Sequence, residues 1–141
     1  MKERLSIKGL LVGVLLTWVL PLMSAIVFAP VSYVIWKRQG MSTDDMVARL
    51  GGTPILLLTL TIIVGCDFIG GYIAGRIAKK SQVVHGALVF ILSALVGFTW
   101  HSFSPPTTAT PSWWLGAWYI LGILFAMWGG FVSKRLAEVD D

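Results

Sequence analysis

Gly70-Gly71-Tyr72-Ile73-Ala74-Gly75-Arg76-Ile77-Ala78 and Gly129-Gly130-Phe131-Val132-Ser133-Lys134-Arg135-Leu136-Ala137 read as copies of one another. Each closes a long apolar run and sets an arginine six residues after its first glycine. Two ends built alike imply two related halves, each bringing a helix end to the same side of a membrane. A weaker echo extends the match, since Lys8-Gly9-Leu10-Leu11-Val12 parallels His85-Gly86-Ala87-Leu88-Val89. The simplest account is a pair of αα-hairpins in the same orientation, related by an axis along the membrane normal. The longer first span and first outer loop are then an insertion.

Composition supports a membrane. Of 141 residues, 56% are hydrophobic and 13% charged, where a soluble domain carries about a quarter charged residues. Four runs match the roughly 20 apolar residues that a helix needs to cross a bilayer core. They are about 9–36, 54–78, 83–100 and 112–136. These runs are continuously apolar rather than alternating, which argues against a β-barrel. The expected fold is therefore all-α, a single integral-membrane four-helix bundle. The apolar start imitates a signal peptide, but it is long and Ala29 is followed by Pro30, so an uncleaved first span is expected.

Basic residues set the orientation. Lys2, Arg4, Lys8, Arg76, Lys79, Lys80, Lys134 and Arg135 fall on one side, and Lys37, Arg38 and Arg49 on the other. The excess places both termini in the cytoplasm, with the cell (inner) membrane as the expected location. Arg76, Lys79, Lys80, Lys134 and Arg135 read as cytoplasmic anchors against the lipid bilayer, which also explains the net charge of +4 without nucleic acid. Trp36, Trp100, Trp113 and Trp114 mark the opposite ends of the spans, as an interfacial aromatic belt does.

The loops have their own signals. Ser42 can cap a short interfacial helix over about 43–50, with Asp44 and Asp45 at its positive end and Met46, Val47 and Leu50 as an apolar stripe. Gly51-Gly52 breaks it, and Thr53-Pro54 restarts a helix as cap and first residue. The tight turn Lys79-Lys80-Ser81-Gln82 makes spans two and three antiparallel neighbours. Ser102 to Ser112, with three prolines, three threonines and no charge, reads as an extended connection. Pro21 should kink the first span.

Small residues recur at spacing four. Span two carries two ridges, Cys66-Gly70-Ala74-Ala78 and Asp67-Gly71-Gly75. Span four offers Gly122-Ala126-Gly130 beside Gly129, and span one Gly9 and Gly13. In lipid, helices associate through close backbone approach, so these ridges serve either packing within the bundle or homo-oligomerisation.

Asp67 is the one acid well inside a span. It lies about 13 Å along the helix from Arg76, on the opposite side. A carboxylate at that depth is protonated, paired or wetted by a cavity. Thr17, Trp18 and Ser93 fall at similar depth, and each is a candidate hydrogen-bond partner. Asp67, Thr17 and Ser93 thus form a candidate ion or proton site; a neutral acid bonded to a neighbouring helix is the plainer alternative. His85 and His101, at opposite ends of span three, read as interfacial residues too far apart to share a metal. Cys66 is the sole cysteine, so no internal disulfide forms. No nucleophile–base pair, phosphate loop or zinc signature is present, so neither an enzyme, a cofactor nor a metal is expected.

Gly70-Gly71-Tyr72-Ile73-Ala74-Gly75-Arg76, then His85-Gly86-Ala87-Leu88-Val89 after a basic turn, resembles the YrzE-like group of small four-span bacterial membrane proteins. Gly129-Gly130-Phe131-Val132 resembles that group's last span. The resemblance implies the same four-helix fold and carries over no catalytic or binding residue. Small multidrug exporters differ in placing a glutamate in the first span, and fluoride channels in a polar, phenylalanine-bearing motif in the third. The leading expectation is a non-enzymatic protein acting by helix association, as a homo-oligomer or an accessory subunit of a membrane complex. The alternative is a small proton- or cation-coupled transporter or channel using Asp67.

Overall fold

The computed structural model describes residues 5–103 and 111–140, the side chains of residues 100–102 and 140 excepted. Most of the proline-rich connection and the His101 and Trp100 side chains lie outside the described residues. Among the described residues five helices follow in order: α1 Ile7–Arg38, α2 Thr43–Leu50, α3 Thr53–Ala78, α4 Gln82–Phe103 and α5 Ser112–Asp140. Four of them, all but α2, are long and apolar enough to cross a membrane. The chain is thus an all-helical bundle of the kind a multi-pass membrane protein forms. Helices suit that setting because they satisfy every backbone group within one segment.

The helices outrun the expected spans at several ends. Hydropathy marks the part that can lie in hydrocarbon, whereas the helix stops only where its backbone bonds stop. In α5 the polar last turns are held by Lys134–Glu138 at 3.7 Å and Arg135–Glu138 at 3.5 Å. α1 begins where Ser6 accepts a hydrogen bond from Gly9 N at 3.2 Å, and runs 32 residues through Pro21 and Pro30. Each proline lacks an N–H, so the carbonyls of Thr17 and Ile26 lose their usual helical donors.

α2 is fixed by its first turn. Ser42 Oγ accepts from Asp45 N while the Asp45 carboxylate accepts from Ser42 N, both at 3.2 Å, a reciprocal capping box. Of the expected apolar stripe only Met46 is buried; Val47 and Leu50 are exposed. An eight-residue helix lying on a bundle edge can insert only one side chain. Trp36, expected in an interfacial belt, is buried, with the Arg49 guanidinium 5.6 Å above its ring. α3 starts one residue earlier than expected, with Gly52 as N-cap and Thr53 already helical. The tight turn after α3 has left-handed backbone at Lys79 (φ 58) and Ser81 (φ 49).

Packing follows the small-residue ridges, and α3 uses both of its own. Gly70 and Ala74 face α1, where a Cβ on Gly13 would sit 2.9 Å from Gly70 O and one on Gly9 2.9 Å from Ala74 O. Gly71 faces α5 and lies against the Ala126 carbonyl, while Gly129 lies against that of Phe68. Gly75 meets Ser133 Oγ at 3.0 Å from its would-be Cβ. α4 joins α5 through Gly86 against Ala126 O and Gly130 against Gln82 O. The most extensive contact is α3 with α5, followed by α1 with α3 and α4 with α5. Among the long helices only α1 and α5 lack a substantial contact.

The starts of α1 and α4 meet the ends of α3 and α5 at one end of the bundle, rich in basic residues. His85, expected at the interface, is 1% exposed there. Its Nε2 accepts from Ser6 N at 2.9 Å, and its Nδ1 donates to Ser81 O at 3.0 Å. With one ring nitrogen accepting and the other donating, the imidazole is a neutral Nδ1–H tautomer. It ties the cap of α1 to the first turn of α4.

Candidate functional site

Asp67, Thr17, Ser93 and Trp18 converge on one cavity of about 190 Å³ midway along the bundle. Each long helix supplies part of its wall: Thr17, Trp18 and Pro21 from α1, Ile63 and Asp67 from α3. Ser93 comes from α4, and Trp114 and Trp118 from α5. The cavity fills the space between α1 and α5, the one long pair that does not pack closely.

Asp67 is 2% exposed, and its Oδ2 accepts from Trp118 Nε1 at 3.3 Å. Gly122 makes room for it, since a Cβ there would lie 2.8 Å from Asp67 Oδ2 and against the Phe90 ring. Phe90 in turn meets Trp118 edge-on, with ring centroids 5.9 Å apart. Thr17 and Ser93 lie on the same wall but bond one another, at 2.6 Å between their hydroxyls.

Thr17 Oγ1 is within donating distance of Val14 O at 2.8 Å, and in its contact with Ser93 either hydroxyl can be the donor. The two hydroxyls thus bond one another rather than Asp67. Trp114 Nε1 donates to Leu56 O at 2.9 Å, and the Trp118 N–H is engaged by Asp67. The polar side-chain groups on this wall are the Asp67 carboxyl, the Thr17 and Ser93 hydroxyls and the indole N–H groups of Trp18, Trp114 and Trp118.

The aromatic part of the wall is equally defined. Trp114 and Trp118 stack at a tilt of 31°, 6.4 Å between centroids. Trp18 and Trp118 both rest on Gly97 of α4, where a Cβ would be 3.4 Å from the Trp118 ring and 3.6 Å from that of Trp18. Such a surface is apolar, and an indole can attract positive charge through its π face.

Depth counting thus places Thr17, Trp18 and Ser93 on the cavity of Asp67 but misses its partner. The signal for Trp118 is the ridge itself. Asp67 belongs to the row with Gly71 and Gly75, which faces α5. On α5 the row Gly122-Ala126-Gly130, continued backwards by fours, reaches Trp118 and then Trp114. The same continuation on α1 runs Gly9, Gly13, Thr17, Pro21. Comparison with protein-family models, curated proteins and solved structures gave no match.

Proposed function

We propose that this is a non-enzymatic multi-pass protein of the cell membrane, with both termini cytoplasmic, whose Asp67 cavity binds a cation as part of transport. One observation carries the reading. A buried acid shares its cavity with two hydroxyls bonded to each other and with three indoles, and among the described residues no basic side chain lines it to hold an anion. Inside a bilayer an acid needs a proton or a cation to compensate it. Asp67 is the one titratable side chain on that wall.

The glycine ridges bear on the competing reading, association as a homo-oligomer or accessory subunit. Those ridges are closed inside the monomer, so association would need another surface. Gly65 and Gly116 are span glycines with nothing within 4 Å of a would-be Cβ, and Ala25 and Ala29 of α1 are exposed. We place association second. Kinship to the YrzE-like group and the two-hairpin repeat belong to the same proposal. They are supported by the use of Gly70, Gly71, His85, Gly86, Gly129 and Gly130 in helix contacts.

The test is electrophysiology on a solid-supported membrane carrying proteoliposomes. The protein should give charge displacement on a jump of at least one of proton, sodium, potassium or tetramethylammonium, and Asp67→Asn should abolish it. Silence toward all four sinks the proposal.

A further inference from the structure

We infer that the cavity is built for a small organic ammonium ion, with Asp67 as its counter-charge and the indoles of Trp18, Trp114 and Trp118 as its cradle. This rests on the cation reading above and names the class of cation. A hard metal ion is poorly served there. Calcium takes six to eight oxygen ligands and magnesium a near-ideal octahedron, whereas this wall offers one carboxylate and two hydroxyl oxygens already bonded to each other. Among the described residues no three histidine, cysteine, aspartate or glutamate side chains sit together.

Size and wall chemistry agree on the alternative. At about 190 Å³ the space is larger than the roughly 150 Å³ apolar cavity known to take up benzene. That suits a trimethylammonium head or a small aromatic amine. Such an ion cannot or need not donate many hydrogen bonds, so scarce acceptors are no handicap. Its charge is spread over alkyl groups that indole faces attract, an interaction strongest with tryptophan and strengthened by desolvation. Trp114 and Trp118 each have their N–H anchored, to Leu56 O and Asp67 Oδ2, which leaves them fixed in place as walls.

The test is a tryptophan-emission titration of the protein in lipid nanodiscs with tetramethylammonium chloride, against sodium chloride at equal ionic strength. We expect a saturable change with tetramethylammonium that sodium does not reproduce. Asp67→Asn should weaken it about thirtyfold or more. Trp18→Leu should weaken it about two- to thirtyfold and Trp18→Phe far less. Trp18 is 39% exposed and takes no part in the Trp118–Asp67 bond, so its variants report on the aromatic wall without dismantling the carboxylate. If sodium or a pH jump gives an Asp67-dependent signal and tetramethylammonium gives none, this inference falls and the cation reading stands. If no cation gives a signal, both fall. Binding unchanged in both Asp67→Asn and Trp18→Leu would also overturn it.

Discussion

His85 shows how much one side chain can hold when it is buried at a helix junction. Its Nε2 is the acceptor for the Ser6 N–H, which sits at the cap of α1. Removing that acceptor leaves a backbone donor unpaired in a place water reaches poorly, at a cost of about 1–3 kcal/mol. His85→Ala should therefore lower stability by that order in detergent-unfolding experiments, and His85→Gln, which keeps an acceptor, by less. Equal losses for the two would show that volume, not the bond, matters. Sequence placed His85 at the right end but not in the interior, because burial there depends on the start of α1 folding over it.

Asp45 is the residue-scale case for pH. The Ser42 side-chain bond, and after it the Ser42 backbone bond, hold its carboxyl below the ordinary carboxylate value. A lowered value means the charged form is favoured by the folded cap. The contribution is present above about pH 3.9, the unfolded value, and disappears as pH falls through the lowered one. Protection of the Ser42 and Asp45 amides relative to their intrinsic exchange rates should fall over that acidic window, and Asp45→Asn should remove the dependence.

At the scale of elements the helices meet through backbone rather than side chains. A Cβ on Gly71 or Gly129 would strike a carbonyl of the facing helix, and backbone cannot rotate away as a side chain can. Gly71→Ala and Gly129→Ala should each cost about 1–3 kcal/mol. Gly65→Ala and Gly116→Ala, with open space at the same point, should be neutral or stabilising by up to about 1 kcal/mol. Unfolding in mixed micelles would rank the four, and a ranking that ignores the contact distances would refute the packing. The spans, the short α2 and the packing role of Gly70, Gly71, Ala74, Gly75, Ala126, Gly129 and Gly130 were all legible as period and spacing. What spacing alone did not give was the pairing of ridges. It left open that Asp67's row faces α5, and hence that Trp118 is its partner.

For the whole molecule the remaining question is sidedness, and the chain is convenient for answering it. Cys66 is the sole cysteine and is buried, so a membrane-impermeant maleimide should leave the folded protein unlabelled. Single substitutions can then report directly. Lys80→Cys and Arg38→Cys, both at exposed positions at opposite ends of the bundle, should label from the cytoplasmic and outer sides respectively. Labelling with the sides reversed would invert the proposed orientation.

The i, i+4 rows on α1, α3 and α5 change character along their length in the same direction. Toward the basic end they are glycine and alanine, and toward the other end threonine and proline, aspartate and isoleucine, and two tryptophans. The helices are clamped where the backbones touch, at the basic end, and carry bulkier side chains on the same rows beyond it. Any widening of the cavity would then work like a pair of tongs, with the fulcrum at the glycine contacts and the free arms at the end away from the basic residues. A solute would reach Asp67 more easily from that end than past the fulcrum.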